Sequence, residues 1–210
     1  MHVQVRGRGR RAGAGLRLGL LGGTFNPPHV GHLICAQEAR EQLGLDRVEL
    51  VPVHSPPHKE VPADPGADVR LELCRAAVAG DDGLGICEIE LEREGPSFTV
   101  DTLRALHAED RELTFIVGGD MALSLPSWRE PAEILRLARL GVAERVGTLR
   151  PDIQECLAPL GGGDRVDFFA MPLIEISSTD VRRRVAAGEP VRYLVPDAVA
   201  EAIERQGLYR

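Results

Sequence analysis

The sequence predicts an α/β fold: a doubly wound, mainly parallel sheet flanked by helices. Three observations carry this. Short apolar runs alternate with stretches of helical period along most of the chain, the pattern of repeated strand–helix units. Several of the apolar runs stop on glycine or proline, where a strand hands over to a turn. The residues with unusual chemistry collect just after those stops, at Gly22-Gly23, His54 to Lys59, Gly118 to Asp120 and Ile176 to Thr179. In open α/β sheets ligands bind beyond the carboxyl ends of the strands.

Element by element, RLGLLGG (17–23) reads as a buried strand ended by glycine, and Val30 to Leu43 as a helix with Leu33, Ala36 and Leu43 on one side. DRVELVPV (46–53) is the next strand. HSPPHKEVPADPGA (54–67) is a proline-rich loop too long for a plain connector. A helix is expected over 68–79 and a strand over LGICEIEL (84–91). FTVDTLRALHAE (98–109) is a helix capped near Ser97 or Thr99, and ELTFIVGGD (112–120) a strand. Helix 131–138, strand 140–145 and strand 164–171 follow. SSTDVRRRVAAG (177–188) has hydroxyls at its N-cap and glycine at its end, and PDAVAEAIERQG (196–207) closes the chain as a helix.

A chain of 210 residues with 43% apolar content is ample for one domain with a buried core. Residues 1–15 read as a disordered arginine-rich arm, and 16–210 as a single domain with a small C-terminal helical part. Residues 1–17 hold five arginines and no acid, against a net charge of −7 for the whole. That balance gives no general nucleic-acid or membrane-surface role, and no apolar run approaches a membrane span. Self-association into a homo-oligomer is compatible with the sequence. The four cysteines (35, 74, 87, 156) include no CxxC pair and suit reduced thiols in a cytoplasmic protein. Lys59 is the only lysine.

The segment GGTFNPPHVGH (22–32) joins glycines that admit close backbone approach, prolines that stiffen a turn, and two histidines three apart at a helix start. The free N–H groups of such a start receive anions. ISSTDVRRR (176–184) offers a second anion site, with Ser177, Ser178 and Thr179 at a helix start and Arg182 about a turn on. Two helix starts facing one cleft suit a polyphosphate. Blander readings exist for each: a glycine turn, a hydroxyl cap, a core tryptophan at Trp128, a cap at Asp120. Arg183 and Arg184 are read as a solvated face. Other chemistries fail on spacing. GxGxxG, the P-loop and GxSxG are absent, and HxxH lacks the glutamate and third ligand of a zinc hydrolase, so no protein metal site is expected.

GGTFNPPHVGH resembles the (G/S)(T/S)FxPxHxGH signature of the nucleotidyltransferase superfamily, and ISSTDVR its partner ISSTxIR, in the same order near opposite ends of the chain. VPVHSPPHK (51–59), PSFTVDTL (96–103), GGDMALSLPSWREPAEIL (118–135) and the tail YLVPDAVAEAIERQGLY (193–209) are similar to the bacterial nicotinate-nucleotide adenylyltransferase family. The resemblance covers about residues 17–209. Asn26 stands where many members have Asp, Phe98 where Tyr is frequent, and Arg129 where Tyr or another residue is seen.

The resemblance implies the Rossmann-like nucleotidyltransferase fold and adenylyl transfer from ATP to nicotinate mononucleotide in NAD biosynthesis. Nicotinamide mononucleotide or another phosphate acceptor is the alternative. Mg²⁺ enters bound to ATP, held mainly by substrate and water. It further implies that Gly22, Gly23, Thr24 and Phe25 line the cleft, and that His29 and His32 contact ATP phosphates, with His32 nearest the transferring group. Ser178, Thr179 and Arg182 hold the β- and γ-phosphates, Ile176 faces adenine, and Lys59 reaches a phosphate. Asp120 binds the mononucleotide ribose and Trp128 stacks near the pyridine ring. Backbone N–H groups near Thr99 and Arg129 meet the nicotinate carboxylate.

Overall fold

A computed structural model describes residues 15–55, 63–144 and 150–210. The expected arm and Lys59 fall outside them. Six strands form one sheet: β1 (Leu16–Gly23), β2 (Arg47–Pro52), β3 (Leu84–Ile86), β4 (Arg111–Gly118), β5 (Arg139–Glu144) and β6 (Val166–Ala170). Every pairing is parallel, and the spatial order is β3-β2-β1-β4-β5-β6. The order reverses between β1 and β4, so the crevice for a ligand opens beyond Gly23 and Gly118.

Helices cover both faces, as parallel crossovers require. On one face α1 (Val30–Leu43) and α2 (Ala67–Val78) pack with Leu21, Val48, Leu50 and Ile116. α1 turns Ala36 and Ala39 inward, and these small side chains let it lie close to the strands. On the other face α3 (Thr99–Leu106), α4 (Gly119–Ser124), α5 (Pro131–Leu137) and α6 (Arg150–Leu157) bury Leu103, Ala122, Ile134 and Leu157 against Leu18, Leu20 and Phe115. The C-terminal helices α7 (Ser178–Ala186) and α8 (Asp197–Gln206) build a smaller third cluster with α2, around Leu73, Val181, Val199 and Ile203.

The structure corrects several expected bounds. β3 stops at Ile86 instead of running to Leu91, because Leu91 N–H bonds back to Glu88 C=O at 2.8 Å and the chain turns off the sheet edge. The alternation in CEIEL imitates a strand, but Glu90 is buried in a turn. α3 ends three residues earlier than expected, where His107 adopts an extended conformation. β4 ends at Gly118, and Gly119-Asp120 begin α4 instead. The short helices α4 and α6 were not expected.

Candidate active site

The turn between β1 and α1 is the centre of the cleft. Phe25 sits at φ 49°, in the left-handed region that side chains rarely adopt. Its ring folds back over Gly23, where a Cβ would stand 2.9 Å from Phe25 Cζ. Gly22 likewise leaves room for Phe115, at 3.3 Å from a notional Cβ. The two glycines therefore admit aromatic rings, while Thr24, Phe25 and Asn26 face the cleft.

His29 is the N-cap of α1, with extended backbone (φ −138°, ψ 169°). Its N–H donates to His32 Nδ1 at 3.1 Å. A ring nitrogen that accepts carries no proton, so neutral His32 is the Nε2–H tautomer. The His29 and His32 rings stack with centroids 3.7 Å apart, and Phe25 meets His32 edge-on at 5.0 Å. Gly31 makes the stack possible, since a Cβ there would lie 3.1 Å from His29 Nδ1 and Cε1.

α7 docks on this turn across more than 150 residues of sequence. Ser178 Oγ donates to Pro27 C=O at 2.8 Å, and Arg182 Nη1 donates to Asn26 C=O at 2.7 Å. Arg182 Nη2 reaches Thr179 Oγ1 at 3.3 Å. Ser177 caps α7 by accepting from Asp180 N–H at 3.1 Å, as expected of a hydroxyl before a helix. Asp180 also pairs with Arg183 and Arg184, which hold its carboxyl below the usual range. Those two arginines form the solvated face read from the sequence. α1 and α7 thus point their N-termini into one cleft of about 440 Å³, walled further by Leu21, Cys35, Ala143, Met171, Ile174 and Ile176.

The other face of the sheet gathers a second set. Trp128 meets Phe115 edge-on at 6.1 Å, with its indole N–H donating to Ser124 Oγ at 3.0 Å. Arg129 lies 4.8 Å over the Phe98 ring and pairs with Asp101 at 3.7 Å. Thr99 opens α3 and Asp120 is exposed in the first turn of α4. Phe115, touching both Gly22 and Trp128, joins the two halves through the sheet.

Three supports were not among the site residues read from the sequence. Arg70, in an ordinary-looking helix, is fully buried. It donates to Val53 C=O at 2.7 Å, Thr24 C=O at 3.1 Å, His54 C=O at 3.1 Å and Asp64 Oδ1 at 3.0 Å, tying the ends of β1 and β2 together. Tyr209, three residues past the last helix, donates to Asn26 Oδ1 at 2.7 Å. Ser97, read as a cap, instead accepts from His54 N–H at 3.1 Å, and N-cap Phe98 makes no side-chain cap bond.

Behind Ser97 lies Glu90, 6% exposed, which accepts from Thr102 Oγ1 at 2.7 Å. Burial raises its carboxyl above the ordinary 4.5, against the opposing hydroxyls of Thr102 and Ser97 and the charge of Arg93. The folded chain therefore holds this proton more tightly than the unfolded chain. Stability is greatest below the unfolded value and falls as pH rises through the folded one. Glu90→Gln cannot ionise. Its denaturant midpoint, followed upward from pH 4, is expected to fall less than that of the wild type; parallel curves would contradict the assignment.

None of the four cysteines is in a disulfide. Burial pushes the Cys74 thiol up to about 12, so that sulfur is inert at neutral pH. Among the described residues no group of three His, Cys, Asp or Glu could hold a metal ion, and no helix is long and apolar enough to cross a membrane.

Comparison with known proteins places the chain. Residues 20–184 match the model of the cytidylyltransferase-like family. A protein of Exiguobacterium sibiricum, described as a probable nicotinate-nucleotide adenylyltransferase, is 42% identical over 196 residues, covering 92% of this chain and 99% of its own. One of Thermomicrobium roseum with the same description is 46% identical over 198 residues, covering 92% of each. Among solved structures, a Plasmodium falciparum nicotinic acid mononucleotide adenylyltransferase complexed with APC superposes with a TM-score of 0.73 at 14% identity. That match covers 92% of this chain and 96% of the other, and shows a shared fold.

Proposed function

The chain belongs to the nicotinate-nucleotide adenylyltransferase family, and from that premise we propose that it transfers the adenylyl group of ATP to nicotinate mononucleotide, releasing pyrophosphate and forming nicotinate adenine dinucleotide. The observation that carries the mechanism is the convergence of the α1 and α7 N-termini, with His29, His32 and Arg182, on one cleft.

The acceptor is a phosphate that is already an anion. Its oxygen attacks the α-phosphorus of ATP, and the bond to the β-phosphate oxygen breaks in line. No general base and no covalent enzyme intermediate are needed. Nothing in the cleft contradicts this, since its polar groups are chiefly N–H and O–H donors. The free-energy gain comes from holding two anions in register and stabilising charge on the transferring phosphorus and leaving pyrophosphate. His32 Nε2–H is the donor for the transferring group. Arg182, Thr179 and the α7 N-terminus take the β- and γ-phosphates. Ser178 spends its proton on Pro27, so it acts by clasping α7 to the turn. Magnesium comes with ATP as the substrate's own ion, coordinated by phosphate oxygens and water.

On the acceptor side, Trp128 stacks near the pyridine ring, Asp120 takes a ribose hydroxyl, and N–H groups near Thr99 and Arg129 receive the carboxylate. Such donors pair with a carboxylate oxygen and cannot pair with an amide NH₂. Pyrophosphate release with ATP and magnesium tests this. We expect kcat/KM to favour nicotinate mononucleotide over its amide analogue by about 10- to 100-fold, the worth of one or two mismatched buried hydrogen bonds. Equal or amide-favoured release would overturn the acceptor, and no release with either would point to another phosphate acceptor.

A further inference from the structure

The C-terminal tail ends inside the machinery. The chain passes Gly207 at φ 63° and turns back, so that Tyr209, itself at φ 62°, brings its ring against the domain. Leu208 and Tyr209 pack on the cluster of Val181, Val195 and Val199. A side-chain-bearing residue in the left-handed region persists only where its surroundings hold it there. Here both that packing and a 2.7 Å hydrogen bond to Asn26 Oδ1 do so.

Asn26 is 2% exposed and works in three directions. Its Oδ1 accepts from Tyr209, its Nδ2 donates to Ala63 C=O at 3.4 Å, and its backbone C=O accepts from Arg182 Nη1 at 2.7 Å. The carbonyl that aims Arg182 therefore belongs to the residue whose side chain Tyr209 grips. We infer that Tyr209 is a positioning residue of the nucleotide site: its hydroxyl fixes Asn26, and Asn26 mounts Arg182 toward the phosphates. The inference rests on the adenylyl-transfer reading only in taking the Arg182 cleft as the ATP side. Burial pushes the phenol above its ordinary range, so it remains a donor throughout the neutral range.

The test is Tyr209→Phe, which removes one oxygen and keeps the ring. Calorimetric binding of the ATP analogue α,β-methylene-ATP, with no acceptor present, is expected to weaken roughly three- to tenfold, the worth of one hydrogen bond. KM for ATP should rise by the same factor while KM for nicotinate mononucleotide stays within about twofold. Leu208→Ala serves as the structural control, removing packing from the same tail. It should lower Tm and leave the ratio of the two KM values at the wild-type figure. Unchanged analogue affinity in Tyr209→Phe, an equal rise in both KM values, or the same ratio change in Leu208→Ala would each overturn the inference. Because the binding arm uses no acceptor, failure of the acceptor assignment would appear separately, as wild-type protein that binds the analogue but releases no pyrophosphate with nicotinate mononucleotide.

Discussion

Replacing His32 by alanine is expected to lower turnover about 10²- to 10³-fold with the fold intact, the loss typical of removing one preorganised donor from a charge-stabilising site. The geometry explains both halves. His29 N–H donates into His32 Nδ1, so the tautomer is set before substrate arrives and the ring proton sits on Nε2, the donor proposed for the transferring group. Stacking on His29 at 3.7 Å and edge contact with Phe25 hold the ring plane. Alanine removes the donor. The cost to folding is small by comparison. One N-cap backbone bond is lost, worth about 1 kcal/mol, and alanine recovers part of that as the better helix former. The measurement is kcat at saturating ATP and mononucleotide, with thermal unfolding beside it. Turnover within a few-fold of wild type would sink the assignment of His32.

Arg70→Met should have the largest effect on stability, about 3–5 kcal/mol, the range for removing one partner from a buried charged network. Arg70 is wholly buried and satisfies three carbonyls as well as Asp64. Methionine fills a similar volume but leaves Thr24, Val53 and His54 C=O, and the Asp64 carboxylate, without that donor. At about 2–4 °C per kcal/mol for a chain of this size, the melting point should fall by roughly 10 °C. Arg70→Lys should recover only part of the loss, because an ammonium cannot spread donors over the fork that the guanidinium spans. Thr24 heads the turn that carries the histidines, so activity at low temperature should fall in the same order, wild type above lysine above methionine. A methionine variant with an unchanged denaturant midpoint would show that the network contributes nothing net.

Much of this molecule is written locally. The run RLGLLGG, the helix from Val30 and the hydroxyl cap before α7 are decided by residues within a few positions of each other, and the structure has them where the pattern puts them. The polar residues at the starts of α1 and α7 belong to the same class. A glycine-proline turn with two histidines at a helix start, and a serine-threonine start with arginine a turn on, are chemical statements made inside eleven and seven residues. Their convergence on one cleft follows from the strand order of a parallel sheet, which the strand–helix alternation already implies.

What stayed illegible depends on contacts between distant parts of the chain. CEIEL alternates like a strand, yet the edge of the sheet lets it go at Ile86. Gly22 and Gly23 look like clearance for a ligand, but the space is filled by Phe25 and Phe115. Arg70 has the local context of any surface arginine on a helix, and only the meeting of two strand ends around it makes it a buried hub. Tyr209 reaches Asn26 across 183 positions. Periodicity and capping are short-range and leave their mark in residue order. Burial and hydrogen-bond satisfaction are properties of the assembled interior, where a polar group must find whatever partner the fold brings within 3 Å.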